Sequence, residues 1–359
     1  MTQLHLRLIT PGNRSHDITI QPGAFNHIAS TLKKRQWAQK YCVVTDTNVK
    51  KLYGDELIKN LRELGLNATL IAFQPGESNK TLKTVEKLLN QMIQLGHNRE
   101  SCVLALGGGV VGDVAGFTAS IFMRGIPFVQ IPTTLMAMAD SGLGGKTGVD
   151  LIGGKNLAGT FTQPKYVVID PALLDTLPKK HLLNGLAEIV KHGLIMDKGI
   201  LKILKKFPDN TLKGDTKILT KLLIRSCKVK ALVIQRDTVE KEFRMILNYG
   251  HSIGHAIEHA SQYRLNHGQA VSIGMNLENR LAVDRKLMKP KHCEAIETLL
   301  KSLKLPTLIP EKIDRDPILK ALKADKKNQG KTLTMTLLKR PGKPMIVRNI
   351  EPQEVKAVL

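Results

Sequence analysis

The first half of the chain alternates short apolar runs with segments of helical periodicity. Buried strands are predicted for KYCVVTD, NATLIAF and SCVLALGGG, and helices that end at a glycine are predicted for NVKKLYGDELIKNLRELG and SNKTLKTVEKLLNQMIQLG. Repeated strand–helix–strand units predict a mostly parallel sheet with helices on its faces. Ligands of such sheets bind at the carboxyl ends of the strands, so we expect a ligand near TDTN and GGG.

From about Pro178 onward the pattern becomes mostly helical. Apolar residues recur at helical spacing in HLLNGLAEIVKHGLIM, TKLLIRSCKVKALVIQRD and HSIGHAIEHASQ. We therefore predict an α/β domain over residues 1–178 and a mainly α-helical domain over residues 179–359, with the active site in the cleft between them. Near the end, TLTMTLLKRPGKPMIV alternates like a hairpin, which we expect to pack on a sheet.

Composition is typical of a globular protein with two domains. The chain has 359 residues, of which 42% are hydrophobic and only 4% aromatic, so base stacking on nucleic acid has few candidates. The net charge of +23 suggests a nucleic-acid partner, but the lysines are spread along helical segments. This distribution favours a solvated basic surface, which would also attract a small, multiply anionic substrate.

The cysteines and the apolar runs predict a cytoplasmic protein. Four cysteines are widely scattered without CxxC spacing, as expected for reduced thiols. The start, MTQLHLRLIT, alternates like a strand and does not have the pattern of a signal peptide. Since no apolar run is long enough to span a membrane, we expect no membrane association.

A glycine-rich turn follows the third predicted strand, in LALGGGVVGDVAGFTAS. Glycine allows backbone amides to approach a ligand closely, and a following helix presents N–H groups to an anion. The spacing is neither GxGxxG nor GxxxxGKS/T, and a tight strand-to-helix connection would use the same glycines. Its place after a strand favours a dinucleotide pyrophosphate. Asp46 and Asn48 could bind a ribose and Asp113 the nicotinamide end, although each could instead cap a helix or lie in a turn.

A second glycine-rich region, DSGLGGKTGVDLIGGKN, holds Lys146 and Lys155, each preceded by two glycines. Lysine is a mobile point charge suited to phosphate. Asp140 and Arg124 lie upstream. Either lysine alone could lie in a solvated loop, but the repeated GGK favours a phosphate site.

A third cluster of candidate site residues lies in the second, mainly helical half of the chain. His251, His255 and His259 follow one another at i, i+4 steps, and Glu188 and His267 are also available. Imidazole nitrogens and carboxylate oxygens are zinc ligands, and a catalytic site keeps one position open. Spacing alone nominates His251 and His255, but the HExxH pattern is missing.

Together these residues resemble the 3-dehydroquinate synthases, the second enzyme of the shikimate pathway of aromatic amino acid and chorismate biosynthesis. The resemblance runs from about residue 41 to 331 and includes GGGVVGDVAGF, RGIPFVQIPTTLMAMADSGLGGKTGVD, GGKNLAGTFTQPKYVVID, GLAEIVKHGLI, RMILNYGHSIGHAIE and HGQAVSIGM. The wider superfamily includes cyclases that make deoxy-inosose or valiolone and, more distantly, the glycerol dehydrogenases.

The resemblance implies a carbon–oxygen lyase that uses NAD and a divalent metal, zinc or cobalt. The family's substrate is 3-deoxy-D-arabino-heptulosonate 7-phosphate, a sugar-acid phosphate. Its C5 hydroxyl is oxidised by NAD, phosphate leaves by β-elimination, and the hydride returns. Ring opening and an intramolecular aldol step then form 3-dehydroquinate. Because family members are usually homodimers, the resemblance also implies a homodimer.

The resemblance also assigns residues. The metal ligands would be Glu188, His251 and His267, which replaces the spacing assignment and makes His255 a substrate contact. The phosphate would face Lys146, Asn156, Asn248 and His255, the ring hydroxyls Asp140 and Lys191, and the carboxylate Lys230 and Arg244, with Arg124 reaching a neighbouring subunit and Lys327 or Lys326 near the substrate. The cofactor would contact Asp46, Asn48, Pro75, Gly76, Glu77, Ser78, Asn79, Lys80, Gly109, Val110, Val111, Gly112, Asp113, Thr133, Thr134, Lys146, Lys155, Leu173, Leu174, Asp175 and Thr176.

Small departures from the family pattern leave these ligands in place. DSGLGG replaces DSSVGG, HSIGH replaces HTFGH, and Gln269 stands where glutamate is common, which could change how His267 is oriented. Two alternatives stay open. One is a related cyclase, such as a 2-deoxy-scyllo-inosose synthase, whose substrate lacks the carboxylate; the other is a basic nucleic-acid-binding protein without catalysis.

Overall fold

The computed structural model describes residues 3–8, 15–237, 242–324 and 332–359. The chain forms two compact units, one ending at Leu177 and the other beginning at Pro178. The strands are β1 Leu4–Leu8, β2 His16–Ile20, β3 Lys40–Asp46, β4 Asn67–Phe73, β5 Ser101–Gly107, β6 Phe128–Pro132, β7 Lys146–Leu151, β8 Gly154–Phe161, β9 Tyr166–Ile169, β10 Leu333–Arg340 and β11 Lys343–Ile350. The helices are α1 Ile28–Arg35, α2 Thr47–Val49, α3 Asp55–Glu63, α4 Leu82–Gln94, α5 Gly109–Ile121, α6 Lys179–Ile195, α7 Lys198–Lys206, α8 Pro208–Leu212, α9 Thr216–Arg236, α10 His251–Ala260, α11 His267–Asp284, α12 Pro290–Ser302, α13 Asp316–Ala324 and α14 Pro352–Val358.

The first unit is built on a mostly parallel sheet in the order β1-β2-β9-β6-β5-β3-β4, as the strand–helix alternation predicts. Only the β1–β2 pair is antiparallel in this sheet. All of β5 is buried, and side chains of β3, β5, α4 and α5 form one apolar core. Because β3, β4, β5, β6 and β9 run in parallel, their carboxyl ends lie at one edge of the sheet.

The glycines around α5 let this helix pack directly on its neighbours. A Cβ at Gly107 would lie 2.6 Å from Val111 Cβ, and a Cβ at Gly116 would lie 2.5 Å from Thr147 Cγ2. Both distances are too short for any side chain, so glycine is required there by close approach. The tight strand-to-helix connection considered for this turn therefore exists, whatever the turn binds.

The glycine-rich stretch that contains Lys146 and Lys155 forms a hairpin of β7 and β8, with a register shift between Val149 and Leu151. Its glycines lie where the paired strands come too close for side chains, since a Cβ at Gly159 would be 2.1 Å from Thr147 O. The phosphate role of the two lysines stays a prediction. One prediction for the first unit needs correction. The helix predicted after β3 is interrupted by a π-helical turn at Lys50–Gly54 between α2 and α3.

The second unit is mainly helical, as predicted. Helices α6, α9, α10 and α11 supply most of its buried residues. The terminal hairpin β10–β11 forms as expected, but it packs against α6, α11 and the turn Phe243–Asn248 instead of the large sheet. None of the helices in the described part of the chain has the length and apolar character needed to cross a bilayer.

Acid should destabilise the first unit through His97. This side chain is 4% exposed and hydrogen-bonds Thr69 Oγ1 at 2.7 Å; burial, with the charge of Lys40, lowers its pKa to about 4. Below about pH 6.5 the unfolded chain gains a proton that the folded chain does not, so we expect a loss of up to about 3 kcal/mol as the pH falls to 4. Denaturation followed by fluorescence of the single Trp37 measures this loss.

The His97→Gln variant should show a shallower pH slope between pH 6.5 and 4. A matched control is His27→Gln, which removes an exposed histidine of the same unit. Equal slopes for His97→Gln and the unmodified protein would contradict the assignment.

Candidate active site

The predicted cofactor residues follow the carboxyl ends of the parallel strands in the first unit. They follow β3 at Asp46 and Asn48, β4 at 75–80, β5 at 109–113, β6 at Thr133 and Thr134, and β9 at 173–176. Five segments that are far apart in the sequence therefore meet at one edge of the sheet. This is the edge at which open α/β sheets bind their ligands.

Lys80 connects three of the predicted segments. Its buried ammonium lies 2.7 Å from Asp113 Oδ2 and donates a hydrogen bond to Asn156 Oδ1. Burial lowers the pKa of Lys80, but Asp113 and neighbouring carboxylates outweigh that effect and raise it. Asp113 lies inside α5 and pairs with Lys80, so the alternative role of a helix cap is wrong. An ion pair between Lys155 of β8 and Glu77 of the segment 75–80, 3.7 Å apart, also connects the hairpin β7–β8 to that segment.

Helix α5 is preceded by Gly108, a cap residue without a side chain. The first N–H groups of α5 therefore receive no acceptor from their cap and can face an anion. Beside them, the N–H of Thr133 donates to Gly107 O at 2.9 Å, and Thr134 Oγ1 accepts from Ala137 N at 3.2 Å. The glycine turn thus has the chemistry expected of a phosphate cradle.

Other residues predicted to bind the cofactor have structural roles. Asp46 caps α2, since its Oδ1 accepts from the N–H groups of Asn48 and Val49 at 2.9 Å each. Tyr53, which the sequence did not single out, donates to Leu173 O at 2.9 Å and lies 2.6 Å from Thr176 Oγ1. A tyrosine in a helical segment gives no sequence signal for this contact. Asp46 is therefore a helix cap, and the binding of a ribose by Asp46 stays a prediction.

The predicted metal ligands of the second unit converge on one point. Glu188 Oε1 lies 3.3 Å from His251 Nε2 and 3.2 Å from His267 Nε2. A tetrahedral zinc ion with bonds of about 2.0–2.2 Å holds its ligand atoms about 3.3–3.6 Å apart. The carboxylate and the two imidazoles therefore fit a divalent ion with an open fourth position.

The two histidines are also oriented as ligands usually are. His251 Nδ1 donates to Tyr249 O at 3.1 Å, and His267 Nδ1 lies 3.5 Å from Glu258 Oε2. Each ring thus directs Nε2 toward Glu188, the arrangement that fixes the tautomer of a metal-binding histidine. Glu258 is not among the residues predicted from the sequence, although it lies two helical turns after His251 and on the same face.

The charges around Glu188 compensate one another. Burial alone would raise the pKa of Glu188, but the ammonium of Lys191 and the two histidines hold it well below its usual range. Burial and Lys191 lower the pKa of His251. Burial also opposes a proton on His267, but Glu188 and Glu258 raise its pKa to about 9. The carboxylate is thus ionised and ready to bind a cation.

His255 lies beside this centre, with its ring centroid 5.2 Å from that of His251 and 5.7 Å from that of His267. A second donor group, formed by His255, Glu258 and His267, could also hold an ion. His255 is exposed, whereas Glu188 is fully buried. The structure therefore brings together the residues of both the spacing assignment and the family assignment.

The remaining residues that are predicted to bind the substrate are distributed over both units. Lys230 on α9 and Arg244 on the turn Phe243–Asn248 are 5% and 3% exposed, so Lys230 is not solvated. Near Arg244 in the sequence, Glu242 forms an exposed pair with Arg348 at 3.5 Å. Further members of the set are Asn248, half-buried on the same turn, Asp140, half-buried on the turn Ala137–Ser141, Lys146, exposed at the start of β7, and Arg124, exposed on the left-handed turn Phe122–Arg124. Lys326 and Lys327 lie outside the described residues.

Gln269 does not orient His267 in this structure. Its Oε1 accepts from Asn266 N at 3.1 Å, while Asn266 Oδ1 accepts from Gln269 N at 3.0 Å. This reciprocal capping box starts α11. A glutamate could form the same box, so the departure from the family pattern preserves the start of the helix.

Family models cover both units. The 3-dehydroquinate synthase N-terminal model matches residues 70–184, and the 3-dehydroquinate synthase C-terminal model matches residues 185–328. A 3-dehydroquinate synthase of Prochlorococcus marinus (strain MIT 9312) is 39% identical over 349 residues, 96% of each chain. The chain belongs to the 3-dehydroquinate synthase family. The family predicted from the motifs is confirmed.

Solved structures of related cyclases share the fold over nearly the whole chain. A 2-deoxy-scyllo-inosose synthase complexed with carbaglucose-6-phosphate, NAD+ and Co2+ has a TM-score of 0.91 and 30% identity, covering 99% of each chain. A 2-epi-5-epi-valiolone synthase from Streptomyces hygroscopicus subsp. jinggangensis 5008, with NAD+ and Zn2+ bound, has a TM-score of 0.88 and 30% identity, covering 98% of each chain. The predicted fold class is confirmed as well.

Single histidine replacements should separate the two donor groups. We expect His251→Ala and His267→Ala each to raise the Kd for Zn2+ more than about 100-fold, beyond the usual effect of a residue outside the ligand set. His255→Ala should bind Zn2+ normally and turn over poorly. Competition with a chromophoric chelator measures the affinity.

His259→Ala is the matched control, because His259 is an exposed histidine of the same helix. Normal zinc binding by His251→Ala together with loss of zinc from His255→Ala would instead support the group of His255, Glu258 and His267.

Proposed function

We propose that this chain is a 3-dehydroquinate synthase, which converts 3-deoxy-D-arabino-heptulosonate 7-phosphate to 3-dehydroquinate and phosphate in the shikimate pathway. The observation that carries this proposal is the 39% identity to a 3-dehydroquinate synthase across 96% of both chains. The identity to the two cyclases of known structure is lower, at 30%.

In this proposal Glu188, His251 and His267 hold a zinc or cobalt ion, and the sheet edge of the first unit holds NAD. The uncapped start of α5 would face the pyrophosphate, and Lys80 and Asp113 would set the position of the turn 75–80. When bound, NAD supplies reversible hydride transfer and the metal supplies charge stabilisation at a hydroxyl oxygen. The chain itself binds and orients the substrate around these groups.

Cationic and polar side chains would recognise the three parts of the substrate. Lys191 and Asp140 would bind ring hydroxyls, and Lys230 and Arg244 would bind the carboxylate. The phosphate would lie against Lys146, Asn156, Asn248 and His255, with Arg124 contributed to a neighbouring subunit and Lys327 or Lys326 near the substrate. A homodimer in the cytoplasm that binds no nucleic acid is part of the same proposal.

A related sugar-phosphate cyclase is the second candidate, favoured by the TM-score of 0.91 to the 2-deoxy-scyllo-inosose synthase. Two buried cations, Lys230 and Arg244, argue against this second candidate. A planar guanidinium grips a carboxylate with two parallel hydrogen bonds. We therefore expect a substrate that carries a carboxylate to be preferred over one that lacks it.

Product analysis tests the proposed reaction. Incubation with the heptulosonate phosphate, zinc and substoichiometric NAD should yield equal amounts of 3-dehydroquinate and phosphate over many turnovers, because the hydride returns in each cycle. NMR identifies the carbocycle, and absorbance follows NADH. Stoichiometric NADH would indicate a simple dehydrogenase. Efficient turnover of glucose 6-phosphate or sedoheptulose 7-phosphate, with none of the heptulosonate, would indicate another cyclase.

Replacement of Arg244 tests carboxylate recognition. Arg244→Leu should raise KM for the heptulosonate phosphate about 10- to 100-fold, as expected for the loss of charge-assisted hydrogen bonds. Binding of NAD and zinc should be unchanged in calorimetric titrations. Arg225→Leu is the matched control, because Arg225 is half exposed and pairs with Asp197 at 2.8 Å. An unchanged KM for Arg244→Leu would contradict this role.

A further inference from the structure

Helix α10, which begins with the proposed ligand His251, cannot carry an ordinary cap. Its cap residue is Gly250, with φ of 79°, and a Cβ there would lie 2.4 Å from Met275 Cγ and 2.9 Å from Val271 O. The Ser, Thr, Asp or Asn that usually caps a helix has no room at this position. The first N–H groups of α10 therefore need an acceptor from another part of the chain.

Glu278 of α11 supplies that acceptor. Its side chain is fully buried, and its two oxygens accept from Gly250 N at 2.5 Å and from Ile253 N at 3.4 Å. The bonded N–H groups lie before and after His251 along the chain, so the carboxyl fixes the backbone on both sides of the ligand.

A second contact anchors the same turn to α11. The hydroxyl of Tyr249 donates to Asn279 Oδ1 at 2.8 Å, and the carbonyl of Tyr249 accepts from His251 Nδ1 at 3.1 Å. The backbone and the ring of His251 thus both depend on neighbouring residues of α11. Because α11 itself begins with His267, one helix carries one proposed ligand and positions another.

We propose that Glu278 is a positioning residue of the metal centre, which holds His251 at the donor distance from Glu188 by capping α10. The inference rests on the metal site of the proposed function. A carboxyl with this role changes metal affinity and the geometry of the ligands, whereas a carboxyl that only stabilises the fold changes the free energy of unfolding alone.

The test compares Glu278→Gln and Glu278→Met with the unmodified full chain after chelation and reloading. Glutamine keeps the shape but replaces one acceptor oxygen with an amide donor, and methionine removes both acceptors. We expect Kd for Zn2+ to rise about 3- to 10-fold for Glu278→Gln and about 10- to 100-fold for Glu278→Met. The ligand-field absorption of bound Co2+ should change in the same order.

Ser272→Ala is the matched control. Ser272 is a fully buried residue of the same helix, and its hydroxyl donates to Pro306 O at 2.7 Å, so its loss weakens the fold away from α10. We expect Ser272→Ala to lower the midpoint of thermal unfolding without changing Kd for Zn2+ or the Co2+ spectrum.

Two results would overturn the inference. One is an unchanged Kd and Co2+ spectrum for Glu278→Gln, which decides the question even if Glu278→Met does not fold. The other is an equal loss of zinc affinity in Ser272→Ala. An unmodified protein that binds neither metal would overturn the proposed metal site together with this inference, whereas normal binding by the unmodified protein and by Glu278→Gln would overturn the inference alone.

Discussion

The fully buried carboxylate of Glu188 is the charge around which the second unit is organised. An ionised carboxylate in a protein interior is costly unless cations or hydrogen-bond donors surround it. Lys191 compensates it from one turn along the same helix, and His251 and His267 do so from α10 and α11. Three helices must therefore converge on one side chain, and the rest of the site follows from that convergence.

Convergence of this kind requires helices that approach more closely than side chains usually permit. A Cβ at Gly274 would lie 2.1 Å from Gly250 O, and a Cβ at Gly268 would lie 2.2 Å from Asn184 O. The same contacts that bring the ligands within range also exclude a capping side chain at Gly250. The acceptor must then come from across the interface between α10 and α11, and the fully buried carboxyl of Glu278 supplies it.

The parts of the structure that could be predicted from the sequence are those that a local sequence pattern determines. Strands such as β3 and β5 are continuous apolar runs, and the ligand set could be assigned because its residues lie in family motifs. The hairpin β7–β8 was not predicted, because its glycines also fit a loop and only cross-strand contact distinguishes the two. Glu258 and Glu278 were missed because an acidic residue in a helix usually faces solvent, and their burial depends on contacts with distant segments.

The two oxygens of Glu188 have different neighbours, and this separates the metal from Lys191. Oε1 faces the Nε2 atoms of His251 and His267, whereas Oε2 is paired with the Lys191 ammonium. An ion held by Oε1 and the two imidazoles would not have to displace the lysine. The carboxylate would therefore lie between the Lys191 ammonium and such an ion. A substrate hydroxyl at such a centre would meet a Lewis acid and an ammonium donor together, a combination that a two-histidine site without Glu188 would not provide.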